Sequence, residues 1–186
     1  MAMRLQEVHP ALVHLPIATL PLAVGADLLG RATGDPELLE VGRRSMALAA
    51  VGALASAVTG LIAQEEVSTE GESHDMLITH RNLNLLATLT ATAMATWRSR
   101  REPNAGYLAL GLAGIGVVAY TAYLGGKMVY EHGVGVEAAD GLYDERVPEL
   151  KRGEMGRVAR TSLRDLEKAL PATVRELRRG KVAPAL

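Results

Sequence analysis

Apolar positions gather into four long runs before residue 130, and charged positions dominate after it. The first run, Val8 to Gly30 (VHPALVHLPIATLPLAVGADLLG), opens on two histidines. A bilayer is crossed by about 20 apolar residues in a helix, so a span over 10–30 is predicted. Pro10 suits a first helical turn, whereas Pro16 and Pro21 remove donors inside the span and make it lean on neighbouring helices. Further spans follow at 45–64 (SMALAAVGALASAVTGLIAQ), 78–97 (ITHRNLNLLATLTATAMATW) and 106–130 (GYLALGLAGIGVVAYTAYLGGKMVY). The second carries Gly52, Ser56 and Gly60, and the fourth Gly114, Val118, Ala122 and Gly126, at four-residue spacing. Such rows of small residues let helix backbones approach closely in lipid. The third is weaker and rich in threonine; it ends at Trp97, an interfacial anchor, with Arg98, Arg100 and Arg101 behind it.

The pattern predicts an all-α integral membrane protein. Residues 1–137 form a four-helix transmembrane domain, up-down-up-down because short connections force neighbouring helices antiparallel. Residues 138–186 form a polar, basic tail. Alternation puts the N-terminus, the 65–77 loop and the chain after Tyr130 on one face, and the 31–43 and 98–105 loops on the other. The second face collects Arg31, Arg43, Arg44, Arg98, Arg100 and Arg101 against Arg4 and Arg81 on the first. By the positive-inside rule it faces the cytoplasm, with both termini outside. The Lys- and Arg-rich stretch from Arg146 to Lys181 pulls the other way, but most of it lies beyond the distance over which that rule acts.

In the tail, Leu163, Leu166, Leu170, Val174 and Leu177 recur at three or four residues between Arg160, Arg164, Lys168, Arg175 and Arg178. This reads as an amphipathic helix interrupted at Pro171, suited to lie on anionic lipid or to dock on another subunit. Near the other end of the first span, Asp27 is expected to pair with an arginine such as Arg43. One arginine, the acidic Glu7 and the two prolines argue against a cleaved signal peptide.

Composition narrows the chemistry. A net charge of −1 says nothing about nucleic acid, and no nucleic-acid partner is expected. The absence of cysteine removes disulfides, thiolate metal sites, iron–sulfur ligation and covalent haem attachment. No nucleophile elbow, P-loop or HExxH helix occurs, so an electron-transfer or accessory subunit fits better than a stand-alone enzyme. The histidines stand out instead. His9, His14, His74, His80 and His132 all fall on one predicted membrane face, contributed by the first span, the second connection, the third span and the end of the fourth. Imidazole at membrane depth is a functional signal.

HPALVHLP at the start, His80-Arg81-Asn82 opening the third span and LGGKMVYEHGVGV closing the fourth resemble the bacterial membrane family catalogued as domain of unknown function 2231. The resemblance covers about residues 6–137 and matches the family's histidines at His9, His14, His80 and His132; His74 is outside the pattern. It implies a four-helix protein of the bacterial cytoplasmic membrane. Relatives fused to Rieske or cytochrome c domains imply an electron-transfer setting, with a separate membrane or redox protein as partner here. The usual aromatic after the second histidine is Leu15, and the chain has no Phe.

Neutral imidazoles from different helices can take both axial positions of a haem b. His14 with His80, which enter the helices deepest, are the expected axial pair, and His9 with His132 a second pair if two haems bind. Gly125 and Gly126 would admit a flat macrocycle, and Arg81 and Lys127 would face its propionates. The alternative is copper or zinc on His9, His14, His80 and His132, with Glu65, Glu66, Glu70, Glu72 and Asp75 as oxygen ligands or an entry path. The rival from another class is a cofactor-free scaffold whose histidines are structural and whose tail recruits a partner; the small-residue rows also suit packing between copies.

Overall fold

The computed structural model describes residues 4–136, 150 and 153–185. The boundary expected at 137/138 and Arg146 of the basic tail lie outside the described residues. A 3-10 turn, Leu5–Glu7, leads into α1 (Val8–Thr33), followed by α2 (Pro36–Ala63), α3 (Gly71–Arg98), α4 (Ala105–Tyr130) and α5 (Met155–Arg178). Three stretches are long and apolar enough to cross a membrane: Leu5–Thr33, Pro36–Ala63 and Ala105–Tyr130. The helix over the third expected span, α3, is not among them, because His80, Arg81, Asn82, Asn84 and its threonines lower its hydropathy. Several of those hydroxyls are satisfied within the helix. Thr88, Thr92 and Thr96 each donate to the carbonyl four residues back at 2.8 Å, which removes most of the cost of placing them in an apolar surrounding.

The helices are longer than their apolar runs. The 31–43 segment, expected as a loop, is almost all helix: Gly34 takes φ 73, and the Asp35 carboxylate accepts from the Glu37 and Leu38 amides at 2.8 and 3.3 Å. Pro36 then supplies the first residue of α2, a position that needs no amide donor. Likewise α3 begins at Gly71 rather than 78. There Ser73 accepts from the Glu70 amide at 3.1 Å and donates to the Glu70 carbonyl at 2.9 Å. The tail helix also runs unbroken through Pro171. Pro171 is exposed, so the carbonyl whose helical partner it removes is left to solvent rather than orphaned in a core.

The chain forms two compact units. One comprises Leu12–Ala55 and Asn84–Tyr120. Leu20, Ala23, Val24, Met46, Ala49, Met94, Tyr107 and Leu108 make its core, with Ala95, Ile115 and Val118 packed against it. Its polar centre is an ion pair: Arg98 donates to Asp27 at 2.7 Å through Nη2 and at 3.0–3.1 Å through Nε. Further donors of Arg98 reach the Leu39 carbonyl at 2.7 Å and the Arg101 carbonyl at 3.1 Å. Asp27 is 0% and Arg98 5% exposed. The expected partner Arg43 instead pairs with Glu40 on its own helix at 2.7 Å, as Arg44 does at 2.6 Å. That exposed pairing needs no desolvation, and it leaves the buried carboxylate to the arginine that can reach it with two donors.

The other unit comprises Met1–Ala11, Ser56–Leu83 and Thr121–Leu186. Leu5, Ile62 and Val158 form its apolar cluster, with Leu150 and Leu166 against it. The end of α4 is closed by Gly133 at φ 64, whose amide reaches the Val129 carbonyl at 3.1 Å. The segment from α5 onward binds the opening turns of α3. Glu176 accepts from Arg81 at 2.8 Å, the Lys181 and Val182 carbonyls accept from Asn82 at 3.1 and 2.7 Å, and the Ala185 amide donates to Thr79 at 2.9 Å.

Candidate functional site

Two imidazoles meet in this second unit. His9 in the first turn of α1 and His80 in α3 stand with ring centres 6.2 Å apart and planes at 87°. Each ring is fixed in the same way. His9 Nδ1 lies 2.9 Å from the Ser56 carbonyl on α2, and His80 Nδ1 lies 2.8 Å from the Thr121 carbonyl on α4. A carbonyl only accepts, so both Nδ1 atoms carry the proton; in the neutral rings Nε2 then bears the lone pair. This is the tautomer that metal-ligating histidines adopt when a second contact orients them.

A glycine four residues beyond each carbonyl makes room for each ring. A Cβ at Gly60 would stand 3.0 Å from His9 Cε1, and one at Gly125 would stand 3.2 Å from His80 Cε1. The arrangement therefore repeats: histidine on one helix, a small hydroxyl residue's carbonyl on the next, and glycine one turn later. Close beside His9 the Ser56 hydroxyl is buried with no hydrogen-bond partner among the described residues. The same unit buries Gln6 Oε1 and His132 Nε2 without one. Buried polar atoms in that condition cost free energy unless a further group satisfies them.

Not all the expected residues join this pair. His14 is exposed on α1. It follows His9 by five residues, a rotation of about 140°, so the face that carries His9 to α3 turns His14 away. His132 lies in the turn after α4, half-buried. His74 belongs to α3 rather than to a loop, and hydrogen-bonds Thr69 at 3.1 Å. A Cβ at Gly125 would meet the His80 ring rather than room for a planar ligand, and one at Gly126 would meet Tyr130 at 4.0 Å. Arg81 and Lys127 are engaged by carboxylates of the chain: Arg81 by Glu176 at 2.8 Å, Lys127 by Glu72 at 3.4 Å and Glu131 at 3.5 Å. Among the described residues no three or more His, Asp or Glu side chains converge as a metal site. Among the described residues the expected four-histidine set does not converge: His14 is exposed on α1, and His132 lies in the turn after α4.

Neither hydropathy nor helix-packing rows mark Ser56 and Thr121 as carbonyl partners. The signal was available as a serine or threonine followed four residues later by glycine, at Ser56/Gly60 in α2 and Thr121/Gly125 in α4. The small-residue row in α4 that ends at Gly126 lies one residue off the one that meets an imidazole. No curated protein and no solved structure matches the chain. A family model described as predicted membrane protein, DUF2231, matches residues 6–138, and the chain belongs to that family of membrane proteins.

Proposed function

We propose that this membrane protein is a redox subunit that holds one haem b between His9 and His80 and exchanges electrons with a respiratory partner protein. The observation that carries the reading is the spacing of the two rings. Were the two Nε2 atoms to face one another, a metal held about 2.0–2.1 Å from each, with about 1.1 Å from nitrogen to ring centre, would put the centres roughly 6.3 Å apart. The observed separation is 6.2 Å. When bound, the iron supplies one-electron exchange. The chain's own part is to present two neutral imidazoles, to lock their rotation through the Ser56 and Thr121 carbonyls, and to clear space for them at Gly60 and Gly125.

His9 and His80, rather than His14 and His80, would therefore hold the haem. Arg81 and Lys127, already paired with carboxylates, are left out of propionate binding. In this reading α3 is the fourth span, its threonines satisfied within the helix, and the protein lies in the bacterial cytoplasmic membrane with the histidine pair outside. A second reading, a two-coordinate copper(I) ion, is favoured by the lack of a third converging ligand among the described residues; that same lack disfavours zinc, which takes three or four protein ligands.

A reduced-minus-oxidised optical spectrum of the purified protein tests the proposal. A haem b band at one haem per chain supports it, a colourless protein with one copper per chain supports the second reading, and neither group bound overturns both. Gly125→Val places a methyl-bearing Cβ against the His80 ring. It is expected to lower bound haem at least severalfold, measured as haem per protein, while the helical circular-dichroism signal stays unchanged.

A further inference from the structure

Helix α5 presents three faces, and among the described residues the chain covers one of them. At about 100° per residue, the buried Val158, Asp165, Ala169 and Thr173 form one stripe. Leu163, Leu170, Val174 and Leu177 lie roughly 80–140° round from it and are exposed, Leu163 by 63% and Leu170 by 53%. Beyond them, at roughly 180–260°, come the exposed Arg160, Lys168, Arg175 and Arg178.

The depth of this helix is fixed at both ends. Val158 packs on Leu5 and Ile62, which stand at the ends of the membrane-length stretches Leu5–Thr33 and Pro36–Ala63. Toward the other end, Glu176 holds Arg81, near the start of the apolar part of α3. Both attachments lie where apolar spans give way to polar chain. We infer that α5 lies in the surface of an anionic bilayer, with Leu163, Leu170, Val174 and Leu177 at the acyl boundary and the arginine–lysine face among acidic headgroups. Protein, apolar and basic sectors follow one another round the helix in the order this placement requires, and the cationic face supplies the charge complement.

The chain has no cysteine, so single-cysteine fluorophore labels at Leu170→Cys and Lys168→Cys report without background. The full chain is reconstituted into phosphatidylcholine vesicles with and without phosphatidylglycerol. In the anionic vesicles a lipid-borne quencher is expected to quench position 170 and aqueous iodide position 168. Neutralising Arg175 and Arg178 to Gln is expected to weaken the membrane-bound arrangement by roughly fivefold per residue at low salt. Iodide quenching at 170 equal to that at 168 overturns the inference. So does shielding of 170 from both quenchers, which would place a second copy or another protein on this face.

Discussion

Replacing Arg98 with alanine is expected to destabilise the protein by about 3–5 kcal/mol, the cost of leaving a buried charge without its partner. Asp27 is fully buried and takes two of the Arg98 donors, so removing the guanidinium leaves a buried carboxylate without the cation that holds it. Arg98→Lys should recover only part of the loss, because one ammonium cannot bridge Asp27, the Leu39 carbonyl and the Arg101 carbonyl as the guanidinium fork does. Gly42→Ala tests the same spot from the other side: a Cβ there would run into the Asp27 carboxylate, and the overpacking should cost about 1–3 kcal/mol. Thermal unfolding in one detergent checks all three. A melting point for Arg98→Ala within a degree or two of wild type would show that the pair carries no such weight.

The second large effect concerns the imidazoles. His9→Ala and His80→Ala are each expected to abolish most haem binding, since either change removes one axial ligand and leaves the cavity of a ring beside glycine. His14→Ala should bind haem as wild type does, because His14 is exposed and away from the pair. Haem per chain, by pyridine haemochrome, separates these outcomes. Loss in His14→Ala together with retention in His9→Ala would return the axial role to the deeper residue. Added imidazole is expected to restore part of the binding in His80→Ala, which distinguishes a lost ligand from a lost fold.

The helical, membrane-embedded class was legible because α1, α2 and α4 each hold an apolar run of bilayer length. Helix ends were less so. Hydropathy stops at the last apolar residue, whereas the helices stop where capping permits, at Gly34-Asp35-Pro36 and at Ser73. Both signals stand in the sequence, and both were outweighed by the edges of apolar runs. Proline removes a helical hydrogen bond and so predicts a break at Pro171; on an exposed face that loss is tolerated.

The site was half legible. Four spans would gather the histidines near one end, but which two meet depends on how each helix is rotated. An α1 that is apolar on nearly every side gives no hydrophobic face from which to read its rotation, and depth alone points to His14. One further regularity was available. Asp27 follows His9 by eighteen residues and Arg98 follows His80 by eighteen, five turns at about 3.6 residues each, so on each helix the two residues share a face.

Electron paramagnetic resonance of the oxidised, purified protein tests the shared-metal claim most directly. Two neutral imidazoles on one ferric iron, with planes near the observed 87°, predict a strongly anisotropic low-spin signal that disappears in both His9→Ala and His80→Ala. A high-spin ferric signal in the wild type, or a low-spin signal that survives removal of either ring, would contradict it.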